Sequence, residues 1–429
     1  MTSTASAPYT SELAAALAPD VLERLLRYVR IDTQSDRAHA QSPSTPGQLE
    51  LGRLLVAELR AIGLEDAALD ANGFVTATLP GNVPDAPVIG LLAHIDTTPD
   101  ESGHGVEPLV HPGYDGGAIA LPRRDTVLDP ERMPELSAKV GHDIVTSSGD
   151  TLLGADDKAG MAEVMAAVTY LAAHSELPRP TLRVGFTPDE EIGKGALAFD
   201  IEGFGAHCAY TFDGSEAGEF TDETFTAASA DVTIHGIEVH PGQATGKLVN
   251  AARLAGRILA ALPEDLTPES TSEREGFIHV YAVEATAGKA TVRTIVRDFD
   301  DDLLAEHVEL LRRIAEEVVA SEPRARLQFE SEHQYPNMRT YLGRHPQVSE
   351  AALEALRREG FEPKRVPVRG GTDGSILSAR GLPTPNLFTG GHEYHSVREW
   401  ASVQDMASAA AVVVRLVRLW AERAAVPAG

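Results

Sequence analysis

Cysteine and basic side chains are scarce in this chain of 429 residues. Cys208 is the only cysteine, which excludes an internal disulfide framework and fits a reducing compartment. The 37 basic residues are outnumbered by 64 acidic ones, and the net charge of −27 repels nucleic-acid phosphates and anionic lipids. We therefore expect a cytoplasmic protein that binds neither nucleic acid nor membranes.

Long apolar segments are also missing. No apolar run is long enough to cross a bilayer, and the N-terminus lacks the basic region and apolar core of a secretion signal. Met1 to Pro8 is expected to be a frayed tail. The chain length and the ordinary hydrophobic content of 43% predict a globular protein with two domains.

Helical and strand patterns alternate along much of the chain. Apolar residues at helical spacing predict helices at 20–30, 48–62 and 159–173. Short apolar or alternating runs predict strands at 73–79, 88–93, 182–186, 208–212 and 384–388. This alternation predicts an α/β domain with a mostly parallel sheet flanked by helices. The segment 97–148 has little periodicity, and so long an irregular segment favours a functional role.

The pattern changes over residues 223–334, which we interpret as an inserted domain. Its elements follow the order strand, helix, strand, strand, helix, strand, which is typical of a small ferredoxin-like α+β fold. These elements are predicted at 227–235, 250–262, 276–283, 289–297, 302–320 and 326–332. The α/β pattern then resumes and ends in a helix over 403–424. The first domain is therefore expected to comprise residues 1–222 and 335–429.

Side chains that can bind a metal follow the predicted strands at their carboxyl ends. They are His94 with Asp96, Glu190 with Glu191, Asp213, and His395. In an open α/β sheet these ends share one edge, where ligands bind. A metal-bound imidazole usually donates its other N–H to an acid, which favours a metal site at His94 and Asp96. The alternatives are a loop hydrogen bond for this pair and an exposed acidic loop for the two glutamates.

Two consecutive acids, Asp156 and Asp157, stand before the helix predicted from Lys158. One interpretation is a helix N-cap, where the helix dipole favours acids. The other is a carboxylate that bridges two divalent ions ~3.5–4 Å apart. The histidines and carboxylates expected nearby favour the second interpretation.

Several motifs, in their order and spacing, resemble the tripeptide aminopeptidases of the two-zinc aminoacylase and carboxypeptidase superfamily of metallopeptidases. The resemblance covers residues 20–420. The motifs are His94-Ile-Asp96, Leu153-Gly-Ala-Asp-Asp-Lys-Ala-Gly160, Thr187-Pro-Asp-Glu-Glu-Ile-Gly193, Phe212-Asp-Gly214, Val239-His-Pro-Gly242, Arg369-Gly-Gly-Thr-Asp-Gly374, and Asn386-Leu-Phe-Thr-Gly-Gly391 with Tyr394-His395. The resemblance implies a catalytic domain of the zinc-peptidase type with the inserted domain as a lid.

The resemblance also implies two zinc ions per subunit, held by imidazole and carboxylate ligands. His94 and Asp213 would hold one ion, Glu191 and His395 would hold the other, and Asp156 would bridge them.

Two further acids have implied roles beside the zinc ions. Asp96 would orient His94, and Glu190 would be the general base that takes a proton from metal-activated water. A cis peptide bond is implied after Asp156. The chain departs from the expected pattern at His392 and Glu393, which add titratable groups beside His395, so that His392 is an alternative ligand.

Substrate-side groups are implied at His240, Asn250 and Arg297 in the inserted domain, and at Arg369. A guanidinium next to Gly370 and Gly371, where the backbone can approach closely, suits a peptide carboxylate, although Arg369 also fits a flexible surface loop. Asn250 equally suits a helix N-cap. The peptide's free N-terminus is expected near the zinc-site carboxylates, and its C-terminal carboxylate near Arg369 and cations of the closed lid.

The predicted function is a zinc aminopeptidase that releases the N-terminal residue from tripeptides. A dipeptidase, a carboxypeptidase or an acyl-amino-acid deacylase would use the same metal core. A non-catalytic peptide- or metal-binding protein should have lost Glu190, Asp96 or a ligand, and all of these are present. Related enzymes often pair through the inserted domain, so a homodimer through it is a further expectation.

Overall fold

The computed structural model describes residues 9–425, so the frayed tail expected at Met1 to Pro8 lies outside the described residues. The chain divides into two compact units. Unit 1 comprises Met1–Asp222, Tyr341–Val366 and Thr372–Gly429, and unit 2 comprises Glu223–Thr340 and Pro367–Gly371. In the described part of the chain, no helix is both long and apolar enough to span a bilayer.

The helices and strands are numbered along the chain. The helices are α1 (Glu12–Tyr28), α2 (Pro46–Ala61), α3 (Pro134–Ser137), α4 (Ala155–Ala173), α5 (Ile201–Phe204), α6 (Ala251–Ala261), α7 (Asp301–Ala320), α8 (Arg339–Leu342), α9 (Pro346–Arg358), α10 (Asp373–Ala379) and α11 (Val403–Ala425). The strands are β1 (Ala68–Leu69), β2 (Val75–Leu79), β3 (Ile89–His94), β4 (Leu109–His111), β5 (Ile119–Ala120), β6 (Val127–Leu128), β7 (Ile144–Thr146), β8 (Leu182–Thr187), β9 (Cys208–Gly214), β10 (Glu219–Thr221), β11 (Thr226–His235), β12 (Phe277–Ala285), β13 (Lys289–Asp298), β14 (Arg326–Tyr335), β15 (Lys364–Arg365), β16 (Asn386–Phe388), β17 (Gly391–His392) and β18 (Trp400–Ser402).

Unit 1 is built on an eight-stranded sheet in the order β1-β2-β8-β3-β9-β16-β10-β15. Its central strands β8, β3, β9 and β16 are parallel neighbours, whereas β2 pairs antiparallel with β8 and β10 pairs antiparallel with β16. Every residue of β3 is buried, as expected for a strand covered on both faces. This mostly parallel sheet with flanking helices confirms the predicted fold class.

Helix α4 lies at the centre of the unit 1 core. It packs on β3, β9, α1 and α11, and its side chains are buried nearly all round. Gly160 permits this close packing, because a Cβ atom there would lie 1.9 Å from the carbonyl oxygen of Phe212. The helix therefore sits directly on the strand that carries Asp213.

The segment 97–148, which has little sequence periodicity, contains short elements in the structure. Strands β4 and β7 join β17 and β18 in an antiparallel sheet of order β17-β18-β7-β4, and β5 pairs with β6. A separate apolar cluster that includes Leu128, Leu136 and Trp400 stabilises this region. Strands of two or three residues are too short to produce a detectable periodicity.

Unit 2 has the strand order β12-β13-β11-β14, with all neighbours antiparallel. Helices α6 and α7 pack on this sheet, and alternate residues of β11 point into its core. This is the ferredoxin-like arrangement predicted for the inserted segment.

The division differs from the predicted domain boundaries at two places. Residues 335–340 belong to unit 2, because β14 extends to Tyr335 and Asn337 bonds to Thr224 and Phe299. The segment 367–371 also belongs to unit 2, since Val368 forms a parallel bridge with Thr224.

Candidate metal centre

The parallel strands bring the predicted metal ligands to one edge of the unit 1 sheet. His94 is the last residue of β3, Asp213 lies at the end of β9, and a 3-10 turn over Glu190–Ile192 follows β8. His395 follows β16 after the short strand β17. The shared edge expected from the sequence is therefore present.

Asp156 lies between the two imidazoles. Its Oδ1 is 2.9 Å from His94 Nε2, and its Oδ2 is 3.4 Å from His395 Nε2. His94 Nε2 is also 3.7 Å from Asp213 Oδ1, and His395 Nε2 is 3.0 Å from Glu191 Oε2. The carboxylate thus presents one oxygen to each histidine, which is the arrangement expected of a bridging ligand.

The neighbouring Asp157 has a different role. Its Oδ2 accepts the backbone N–H of His94, and its Oδ1 accepts that of Gly160. The peptide bond between Asp156 and Asp157 is cis, as the resemblance implies, and both residues have non-helical backbone angles. Asp157 therefore caps the regular part of α4, and the N-cap interpretation applies to it instead of to Asp156.

Asp96 supports both sides of the centre. Its carboxylate is completely buried and accepts the backbone N–H groups of Glu190 at 2.9 Å and Glu191 at 3.1 Å. His94 Nδ1 lies 3.0 Å from the Asp96 carbonyl oxygen and 3.4 Å from its Oδ1. The sequence predicted the contact with His94, but not that the same carboxylate holds the two-glutamate turn.

We expect replacement of Asp96 by alanine to impair catalysis more than metal binding. Loss of an outer-shell partner costs about 10–100-fold in metal affinity, which saturating zinc restores. A misplaced Glu190 would still lower kcat by about 10²-fold. The assay measures kcat and bound zinc at saturating zinc, with Asp96→Asn as the control that retains one acceptor. A wild-type kcat for Asp96→Ala would refute the positioning role.

Three acidic residues for which no role was predicted, Asp189, Glu399 and Asp373, also support the site. Asp189 is buried and accepts hydrogen bonds from Ser42, Ser44 and Gln48, which anchors the turn just before Glu190. In the sequence, the only sign of this anchoring role is the presence of Asp189 within the Thr187–Gly193 motif. Its partners lie more than 140 positions away along the chain.

Glu399 holds the loop that carries Asp156. It is buried, and its carboxylate accepts the backbone N–H groups of Leu153, Gly154 and Asp156 at 2.7 to 3.0 Å. Burial raises the pKa of Glu399 to about 7. No local pattern marks this glutamate, since its partners lie more than 240 positions away.

Glu190 lies close to a further buried acid, Asp373. The Asp373 Oδ1 accepts the backbone N–H of Ala196 at 2.9 Å, and burial raises its pKa to about 6. Burial also raises the pKa of Glu190 well above its ordinary value, and the charges of Asp213 and Asp373 act in the same direction. A carboxyl group with a raised pKa is suited to carry a proton during a reaction.

The histidines and acids of the centre also perturb each other. Burial lowers the pKa of each imidazole, but hydrogen bonds to carboxylates outweigh it: the pKa of His395 rises to about 11, and that of His94 rises well above its ordinary value. Burial raises the pKa of Glu191 to about 7. Burial also opposes ionisation of Asp156, but hydrogen bonds to both histidines outweigh it and lower its pKa. The clustered carboxylates thus favour positive charge among them, which a metal ion supplies.

These residues fit a metal centre. Two overlapping groups have potential ligand atoms within 4.8 Å of one another: His94 with Asp157 and Asp213, and His94 with Asp156 and Glu191. Glu191 Oε1 is buried without a hydrogen-bond partner among the described residues, so a cation would satisfy it. Because Asp157 is occupied by backbone N–H groups, Asp156 is the better ligand of the two.

His392 lies away from this group of ligands. Its ring is buried and stacks on Trp400, with the ring centroids 4.2 Å apart, and its Nε2 is 3.5 Å from Glu216 Oε2. His395, by contrast, lies beside Glu191 and Asp156. The structure therefore favours His395 over the alternative ligand His392.

The implied substrate-side residues all lie in unit 2 and are described within that unit. His240 is exposed and its Nδ1 accepts the backbone N–H of Gly242, while Asn250 caps α6 by accepting that of Arg253. The Arg297 guanidinium donates to the carbonyl oxygens of Ala228 and Val296 and lies over Tyr335. Asn250 is therefore a helix N-cap, which was the alternative interpretation of this residue. Only its side-chain oxygen takes part in the cap, and its amide nitrogen does not.

Arg369 is held within unit 2. Its guanidinium donates to Thr271 Oγ1 at 2.9 Å and to the carbonyl oxygen of Glu273 at 3.3 Å. It lies beside the rings of Phe225 and Phe277. These contacts engage two of the five N–H donors that a guanidinium offers.

The chain belongs to the peptidase family M20/M25/M40, whose family model matches residues 153–419. It is therefore a peptidase, a hydrolase that acts on peptides. Peptidase T of Bacillus subtilis is 45% identical over 93% of this chain and 98% of its own length. Peptidase T of Shouchella clausii is 46% identical over 94% of this chain and 99% of its own length. The crystal structure of aminopeptidase PepT from Bacillus cereus has the same fold, with a TM-score of 0.73 and 24% identity over 94% of this chain and 99% of that chain.

Proposed function

We propose that this protein is an aminopeptidase that releases the N-terminal residue from tripeptides with the help of two zinc ions. The observation that carries the proposal is the position of Asp156, with one carboxylate oxygen towards each of two histidines at the end of a parallel sheet. The similarity to proteins named Peptidase T supports the peptide specificity.

The donor set suits zinc, which accepts imidazole and carboxylate ligands. His94 and Asp213 would hold one ion, Glu191 and His395 would hold the other, and Asp156 would be shared. When bound, two such cations activate the attacking water and polarise the scissile carbonyl.

Glu190 is the proposed general base. Its carboxylate takes a proton from the attacking water and delivers it to the nitrogen of the departing amine, which breaks the peptide bond. Asp96 keeps Glu190 and Glu191 in the turn, so that one side chain reaches the water while its neighbour binds the metal. Both glutamates are therefore used, in different roles.

The proposed contact for the peptide's C-terminal carboxylate is Arg369. A planar guanidinium can bind a carboxylate through two parallel hydrogen bonds, and Arg369 retains donors for this purpose. His240, Asn250 and Arg297 are proposed as further substrate-side groups. A cytoplasmic location, the exclusion of nucleic acid and membranes, and a homodimer remain predictions.

The proposal predicts a specific order of activities on matched peptides. Zinc-loaded enzyme is expected to hydrolyse a free tripeptide with a higher kcat/KM than the matched dipeptide or tetrapeptide. Acetylation of the N-terminus or amidation of the C-terminus removes a charged contact, and each change is expected to lower kcat/KM by about 10–100-fold. Product analysis must show release of the first residue.

A preference for the dipeptide or for the acetylated tripeptide would contradict the assignment. The first result would indicate a dipeptidase, and the second a deacylase or a carboxypeptidase. Full activity on the C-terminal amide would remove the proposed carboxylate contact while leaving the aminopeptidase chemistry intact.

A further inference from the structure

Glutamates make up half of the residues that line a cavity in unit 1. Its volume is about 270 Å³, and its wall includes Glu135, Ser215, Glu216, Glu219, His392 and Trp400. We call it the acidic cavity. None of its lining residues is among the ligands proposed for the metal centre.

The carboxylates of the acidic cavity are only partly neutralised by the protein. Lys139 Nζ binds Glu216 Oε1 at 2.6 Å, and Arg398 pairs with Glu393, a further lining residue, at 3.3 Å. In the described part of the chain, no lysine or arginine forms an ion pair with Glu135 or Glu219. Burial raises the pKa of Glu219, and the charges of Glu216 and Glu135 act in the same direction. The backbone N–H of Glu216, which donates to Glu219 Oε2 at 3.2 Å, and the charge of Lys364 act against this rise without cancelling it. A bound cation would relieve this repulsion.

His392 is an independent indication of a ligand. Only 6% of its surface is exposed, and its Nε2 has no hydrogen-bond partner among the described residues. The nearest carboxylate oxygen, Glu216 Oε2, is 3.5 Å away, beyond a normal hydrogen bond. Burial lowers the pKa of His392 to about 4, so the ring is neutral at neutral pH and adds no positive charge.

We propose that the acidic cavity binds a cationic amine of the peptide substrate. The N–H groups of an ammonium can satisfy both the carboxylates of Glu216 and Glu219 and the imidazole of His392. A divalent metal ion fits less well, since the candidate metal groups of the described chain include none of these residues.

The acidic cavity and the metal centre share two chain segments. Ser215 follows Asp213 by two residues, so their Cα atoms are at most about 7 Å apart, and His392 precedes His395 by three residues, a span of at most about 11 Å. The backbone N–H of Gly390 donates to the Ser215 carbonyl oxygen at 2.8 Å, which ties the segments together. The amine is therefore that of the first residue of the peptide, either its α-ammonium or a lysine side chain. This assignment to the substrate rests on the proposed aminopeptidase function.

Binding of small amines to the zinc-loaded protein tests the proposal without requiring hydrolysis. Norleucinamide carries only the α-ammonium, N-acetyl-lysinamide carries only the side-chain ammonium, and N-acetyl-norleucinamide carries neither. Calorimetry should show that at least one of the two amines binds more tightly than the uncharged compound. Which amine binds identifies the source of the ammonium.

Three variants decide whether this binding occurs in the acidic cavity. Glu219→Gln should lower the affinity for the amine by about tenfold or more, because a charge-assisted hydrogen bond is lost. His392→Phe should also lower the affinity for the amine, while it retains an aromatic ring against Trp400. Glu65→Gln removes the same charge from an exposed position outside the cavity and should leave the affinity unchanged. Bound zinc and thermal unfolding are measured for each variant.

The proposal is overturned if neither amine binds more tightly than N-acetyl-norleucinamide, or if Glu219→Gln and His392→Phe bind as the wild type does. Failure of the aminopeptidase function gives a different result. In that case amine binding would still depend on Glu219, but no tripeptide would be cleaved.

Discussion

Glu190→Gln is expected to lower kcat on a tripeptide by about 10²–10⁴-fold while zinc remains bound. Glutamine has nearly the same shape but cannot accept the proton of the attacking water at neutral pH. Glu190 is not one of the proposed metal ligands, and its backbone N–H, which Asp96 accepts, is unchanged by the substitution. The loss corresponds to about 3–5 kcal/mol of transition-state stabilisation.

The measurement combines steady-state kinetics with metal analysis on the same preparation. Glu65→Gln serves as the control for the change in charge and should keep wild-type kcat. A nearly wild-type rate for Glu190→Gln would exclude Glu190 as the base. Loss of zinc together with activity would instead make Glu190 a ligand and would require a new division of roles within the turn.

Asp156→Asn is expected to weaken zinc binding by more than the roughly 10–100-fold that loss of an outer-shell partner costs. The substitution replaces a charged oxygen that faces His94 or His395 by an amide nitrogen, so at least one metal position loses a ligand. The neutral amide also provides less negative charge for two cations. Activity at ordinary zinc concentrations should be lost with the metal.

Asp157→Asn is the matched control, since it makes the same chemical change at the adjacent residue. Its carboxylate oxygens accept backbone N–H groups of His94 and Gly160, so the variant should lose about 1–3 kcal/mol of folding stability but retain zinc. Equilibrium dialysis and thermal unfolding distinguish the two variants. The reverse pattern, with zinc lost only from Asp157→Asn, would make Asp157 the bridging ligand.

The sequence predicted the main elements because their signals are local. Each signal occupies one unbroken stretch of the chain, as in the apolar run before His94 and the helix pattern after Asp157. The parallel order of the strands then places the side chains that follow the strands at one edge of the sheet. The order of elements in unit 2 was equally visible, because each of its strands and helices is long enough to have a clear period.

The remaining features depend on contacts between distant parts of the chain. Glu399 binds a loop more than 240 residues earlier, and Asp189 binds residues near the start of α2. Neither residue type nor spacing reveals such partners. The small sheet formed by β4, β7, β17 and β18 was missed for a similar reason, since its two- and three-residue strands gain stability only from pairing across the chain.

The resemblance assigned residue roles that local patterns alone left open. From the residues alone, Asp156 was either a helix cap or a metal ligand. In the structure Asp157 caps the helix, and Asp156 is the proposed ligand. For Asp96 the structure adds a second role, because one carboxylate contacts both His94 and the turn of Glu190 and Glu191. Such shared use of one side chain is a property of the folded site.

The central claim is a two-metal centre bridged by Asp156, and anomalous diffraction at the zinc edge tests it most directly. Crystals grown with zinc should show two peaks about 3.5–4 Å apart, with the Asp156 carboxylate in contact with both. His94 and His395 should each contact a different peak. A single peak at full zinc occupancy, or two peaks that Asp156 does not join, would contradict the claim.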